Sequence, residues 1–112
     1  MNRLFRASEV EARLHTPLDV EGEPEPLRCF IRIYYVWAKN EEEATSYVHD
    51  DVSGEAELLD VGPIEGIDID ELDGHIADAI RKGPGRGVCW RSGRLFFPCD
   101  SPEATDEAAH GA

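Results

Sequence analysis

The chain has 112 residues, 41% hydrophobic and 31% charged, with a formal net charge of −13. That length holds one domain around one core, the composition is globular rather than disordered, and no apolar run approaches the ~18 residues of a membrane span. Acidity at this level opposes nucleic-acid binding by the molecule as a whole, because phosphates are repelled, and favours fast encounter with a basic partner. A genome-wide composition bias or a salt-rich cell interior would leave the same total.

The first residues, MNRLFRASEVEARLH, carry charges throughout and contain no secretory h-region, so a cytoplasmic location is expected. Cys29, Cys89 and Cys99 form no CxxC pair. Their odd count fits reduced thiols acting as small hydrophobes, although a Cys89–Cys99 bridge across the last strands is conceivable.

In chain order, Ser8 and Glu11 match a capping box, and Val10 and Leu14 sit four apart, which predicts a short helix stopped by Pro17. Residues 19–26, DVEGEPEP, follow as an acidic connector, so residues 1–27 read as an N-terminal arm. The stretch RCFIRIYYVWA, residues 28–38, is the strongest strand signal, dense in β-branched and aromatic residues. Its alternation puts Cys29, Ile31, Ile33, Tyr35 and Trp37 on a core face. Arg28, Phe30, Arg32, Tyr34 and Val36 then form a basic, aromatic face that something must cover or bind.

Asn40 can cap a helix with Glu43 at its third position, and Ala44, Tyr47 and Val48 form its apolar side. Residues 55–61 predict a second strand. Asp68 and Glu71 repeat the cap relation before Ile69, Leu72, Ile76, Ala79 and Ile80 at helical spacing, and Gly83-Pro84 ends that helix. GVCWRSGRLFFP predicts a hairpin turning at Ser92-Gly93. Residues 28–99 thus form one α+β domain: two layers, about four strands in a mixed sheet, order β-α-β-α-β-β, both helices on one face. Residues 100–112 lack large apolar side chains and read as a disordered tail.

Charge is segregated. Residues 41–80 hold fourteen acids and no Lys or Arg, while residues 81–94 hold five basic residues and no acid. One candidate surface is therefore acidic: Glu41, Glu42, Asp50, Asp51, Glu65, Asp70, Glu71 and Asp73, presented to a protein with a basic surface, as an inhibitor or immunity-type protein would by analogy of charge alone. The alternative site is the basic-aromatic sheet face, Arg28, Phe30, Arg32, Tyr34, Arg91, Arg94 and Phe96, which could hold an anionic ligand or single-stranded nucleic acid. That face could equally pack on the acidic N-terminal arm, form a homodimer, or bind another protein.

Chemistry-bearing motifs are sparse. Asp68-Ile-Asp70-Glu-Leu-Asp73-Gly74 departs from a calcium loop at its fifth and sixth positions, so neither a metal nor another cofactor is expected. His49 and His75, beside acids, are the candidates for an enzyme, with Cys89 or Cys99 able to join His75 through tertiary contact alone. Gly83-Pro-Gly85-Arg-Gly87 lacks the ending of a phosphate loop. The reading favoured is a non-enzymatic interaction protein.

Overall fold

A computed structural model describes residues 2–99. The α+β class holds, but the sheet contains six strands rather than about four, and every pairing is antiparallel rather than mixed. Strand β1 (Arg3–Leu18) pairs with β2 (Leu27–Ala38) at the centre. Helix α1 (Glu41–Ser53) leads to β3 (Ala56–Asp60) and β4 (Ile64–Gly66), both on the outer side of β1. A 3₁₀ turn (Ile69–Glu71) and helix α2 (Gly74–Lys82) lead to β5 (Gly87–Arg91) and β6 (Leu95–Phe97), both on the outer side of β2. The six strands therefore lie along four tracks. The tail, residues 100–112, lies outside the described residues.

The helix expected near Ser8 is strand. Phe5 and Ala7 are buried, as are Val10 and Ala12, so an alternating pattern is present but slips phase once between the two pairs. The slip is a β-bulge: Ala7 pairs with Tyr34 and Val10 with Arg32, leaving Ser8 and Glu9 opposite Ile33. Long-range pairing with β2 overrides the local capping pattern.

The expected terminal hairpin is also absent. β5 and β6 do not pair with each other; each runs antiparallel to β2, as one edge strand broken at Ser92–Arg94. Ser92 bridges the break. Its N–H donates to the Ile33 carbonyl (2.9 Å), and its Oγ accepts from the Ile33 N–H (2.8 Å), so a side chain replaces one missing rung of the ladder.

The two helices cover opposite faces, not one, giving three layers. Ala44, Val48 and Val52 of α1 pack with Phe5, Val10, Phe30, Tyr34 and Val36. Ile80 of α2 packs with Leu4 and Tyr35, flanked by Trp37, Trp90 and Ile76. Neighbouring strand residues point to opposite faces, so Tyr34 and Tyr35 belong to different cores. Asn40 caps α1 as its sequence position implies, accepting from the Glu43 N–H at 2.8 Å. Asp68, by contrast, caps the 3₁₀ turn, and Asp73 caps α2, so the second helix starts later than the periodicity suggests.

Cys29 is bonded to Cys99, with Cα atoms 5.7 Å apart, and Cys89 is the free thiol. The expectation of three thiols, or of a Cys89–Cys99 bridge, is corrected accordingly. The reason is register: Phe97 pairs with Cys29, so Cys99, two residues beyond, arrives beside the buried Cys29 side chain, whereas Cys89 lies further along the same broken edge strand, beside Tyr35 and Val36.

Two outcomes follow from this architecture. Gly62 has φ +71°, and a Cβ there would lie 3.0 Å from the Glu9 Cβ in the bulge; Gly22 has φ +92° with open space around it. Gly22→Ala carries left-handed strain alone, ~1 kcal/mol, whereas Gly62→Ala adds a clash and should cost about 2 kcal/mol or more in urea unfolding. Alkylation of denatured, unreduced protein should label Cys89 alone, read by peptide mass; labelling of Cys29 and Cys99 would contradict the pairing.

Candidate functional site: a closed arginine-aromatic face and an acidic sheet end

The face that sequence left open is closed by α1. Phe30 and Tyr34 are 0% and 1% exposed, so neither ring can stack on a ligand. Phe96 is half-buried and meets Phe30 edge to face at 5.9 Å. Two arginines of this face, Arg91 and Arg94, find acids on α1 or just past its C-terminal end. Arg91 forms a two-pronged pair with Asp51, its Nε at 2.8 Å from Oδ2 and its Nη2 on Oδ1. Arg94 bridges Glu55 at 2.9 Å and lies over the Phe96 ring at 5.0 Å. Arg32 sits over the Tyr34 ring and donates to the Ser92 carbonyl at 2.6 Å. Arg28 is half-buried on the same strand.

Asp51 is the centre of this arrangement. Tyr34 donates its hydroxyl to Asp51 Oδ2 at 2.9 Å, the oxygen that also accepts from Arg91 Nε. The Arg91 hydrogen bond holds the Asp51 carboxyl below the usual range, against the opposing effect of burial. Burial, and then the bond to Asp51, push the Tyr34 hydroxyl up to about 12. Asp51, expected on an acidic docking surface, is instead a structural group.

The remaining acids divide. Glu65 is paired with Arg6 at 3.1 Å and Asp70 with Arg81 at 2.8 Å. Asp50 is exposed near the C-terminal end of α1, 3.8 Å from the His49 ring. Glu41 and Glu42 are exposed at the N-terminus of α1, and Glu71 and Asp73 are exposed around the start of α2. These last four belong to one end of the sheet. Arg3 pairs with Ala38 and Phe5 with Gly66, so β2 and β4 finish at the same end, on either side of β1, and hand the chain to α1 and to the 3₁₀ turn there. Two surface depressions of about 530 and 450 Å³ meet along Arg3 and Gly66; Glu41 and Glu42 line one, Asp68 the other. Sequence reasoning omitted Asp68 from this group, since its capping role drew attention away from its place at the strand end.

The nucleophile candidates are occupied. Cys99 is in the disulfide, and the Cys89 thiol, pushed up to about 11 by burial, donates to the Tyr35 carbonyl at 3.3 Å. His49 and His75 are both exposed, on α1 and α2 respectively, on opposite sides of the sheet. No helix among the described residues is long and apolar enough to cross a membrane.

The fold is that of an α+β domain with a six-stranded antiparallel sheet. No protein-family model matches the chain, and no solved structure matches it. Among curated proteins, 83 residues are 31% identical to the pantothenate synthetase of Salinibacter ruber (strain DSM 13855 / M31), covering 74% of this chain and 25% of that protein. The chain thus spans about a quarter of the length of the curated relative it matches.

The Asp51 cluster makes a prediction about stability. Asp51→Asn should cost about 1–2 kcal/mol in urea unfolding: a charged hydrogen bond is worth ~1.5–3, reduced here because Arg91 is partly exposed and screened. Tyr34→Phe should cost about 1 kcal/mol. Asp51 is depressed, so its contribution is present above its ordinary value of 3.8 and lost as pH falls through the lower folded value. Tyr34 is raised, so its contribution is present below 10.0 and lost as pH rises toward about 12. Stability that is flat across both limits would contradict the cluster.

Proposed function

We propose that this protein is a non-enzymatic interaction domain whose acidic sheet end engages a basic protein partner. One observation carries the reading. The cations Arg6, Arg13, Arg81, Lys82, Arg91 and Arg94 each pair with an acid within the chain, while Glu41, Glu42, Glu71 and Asp73 stay exposed at one end with no ion pair among the described residues. These four carboxylates carry part of the net charge of −13 and meet solvent without an internal ion pair. Arg3 and Lys39, exposed at the same end, moderate the field without reversing it. Long-range attraction of this kind speeds encounter and is screened by salt.

A second reading, enzymatic, draws on the similarity to a pantothenate synthetase. The match reaches a quarter of that protein, which favours a shared accessory module over a shared reaction. Assayed alone, the chain should form no pantothenate; turnover would overturn the interaction reading.

The direct test uses a lysine-rich peptide as probe. Affinity should fall steeply between ~0.1 and ~1 M salt, as the Debye length shrinks from about 10 Å to about 3 Å. Neutralising three exposed acids together, Glu41→Gln, Glu42→Gln and Glu71→Gln, should weaken low-salt binding roughly tenfold, at a few tenths of a kcal/mol or more for each surface contact. Affinity indifferent to salt and to the triple substitution would refute the proposal.

A further inference from the structure

The second face of the sheet is only half covered. Helix α2 has nine residues and packs on the Leu4, Tyr35 and Trp37 end. The other end of that face carries Ile31, Leu95 and Phe97, which join neither core among the described residues. Ile31 pairs directly with Leu95, so their side chains stand together, and Leu95 is 69% exposed. A depression of about 270 Å³ opens beside them, lined by Ile31, Ile33 and Leu95 together with Ser8, Arg32, Ser92 and Gly93. Leu95, exposed beside half-buried Ile31, Ile33 and Phe97, gives this end of the face a small apolar patch.

The charges beside it select the occupant. Glu11 pairs with Ile31 on one side and Asp60 on the other, which lines up Asp60, Glu11, Ile31 and Leu95 across the sheet on this face. Neither carboxylate has an ion pair among the described residues. A second copy would bring like charge to like charge, each chain carrying −13. The chain's own residues 100–112, acidic and without a large apolar side chain, match neither half of the surface.

We infer that this face seats an amphipathic helix from a basic partner, its apolar stripe on Ile31, Ile33 and Leu95 and its Lys or Arg flank toward Glu11 and Asp60. The inference rests on the interaction reading above for the partner's basic character and adds a second contact, toward the opposite end of the sheet from Glu41 and Glu42, where an apolar segment of that partner is held. Salt-sensitive attraction then brings the partner in, and apolar burial on this face holds it.

The test measures binding of two fluorescent peptides to the full chain: an amphipathic Leu/Lys helix and the same residues scrambled so that no stripe forms. The amphipathic peptide should bind at least tenfold more tightly, and Leu95→Asp should bring it down to the scrambled level. Val20→Asp, which adds the same charge at another exposed apolar side chain, in the connector, should not weaken binding. Leu95→Asp adds a carboxylate, so attraction of charge alone predicts tighter binding and the apolar seat predicts weaker binding. Tighter or unchanged binding, or equal affinity for both peptides, overturns this inference and leaves the charge reading standing. Binding of neither peptide overturns both. A dimer in sedimentation that Leu95→Asp dissolves would assign the face to a second copy and overturn it as well. Leu95→Ser, without added charge, should reproduce the loss, and circular dichroism of both variants should match the parent.

Discussion

The carboxylate of Asp51, shared between the Tyr34 hydroxyl and the Arg91 guanidinium, is the contact on which the arrangement of layers depends. It sits near the C-terminal end of α1, and its two donors come from neighbouring strands, β2 and β5. One acid therefore joins the helix to the central strand and to the edge strand at once. Around it, Val48 and Val52 bury Phe30 and Tyr34, so apolar packing and a charge-assisted pair act in the same place. The burial provides most of the driving force, and the pair sets where the helix lies across the sheet. Glu55, just past the helix, adds a second such tie through Arg94.

This contact explains why segregated charge in the sequence does not become a two-sided molecule. The acidic block and the arginine block meet face to face, and part of each neutralises the other inside the fold. What stays outside is the surplus of acid, gathered partly where β2 and β4 end together. Among the described residues, the sheet's other face has no equivalent carboxylate shared between two strands. Its helix is shorter, begins late because Asp73 rather than Asp68 caps it, and leaves the Ile31–Leu95 end bare.

Much of this was legible in the residues, and the failures have physical causes. The parity of residues 28–38 was correct, as were the capping of α1 by Asn40 and the α+β class. Which face of that strand lies deepest could not be read from parity. Phe30 and Tyr34 are flanked by arginines in sequence, and only the tertiary approach of Asp51 and Glu55 makes that company suitable for a core. The strand at residues 3–18 was hidden by its bulge at Ser8–Glu9, which shifts the alternation by one residue and leaves Val10 and Leu14 at a spacing that imitates a helix. The pair Ser92-Gly93 resembles a hairpin turn, yet with β2 offering an unpaired edge the chain continues along it, and the Ser92 hydroxyl replaces the missing backbone rung.

The central claim is that α1 closes the arginine-aromatic face while α2 lies on the opposite one. Nuclear Overhauser contacts in isotope-labelled protein test it most directly. The account predicts contacts from the Val48 and Val52 methyls to the rings of Phe30 and Tyr34, and from the Ile80 methyls to the ring of Tyr35. Phe30 and Tyr34 rings without helix contacts, or methyls of both helices reaching the same strand residues, would contradict it.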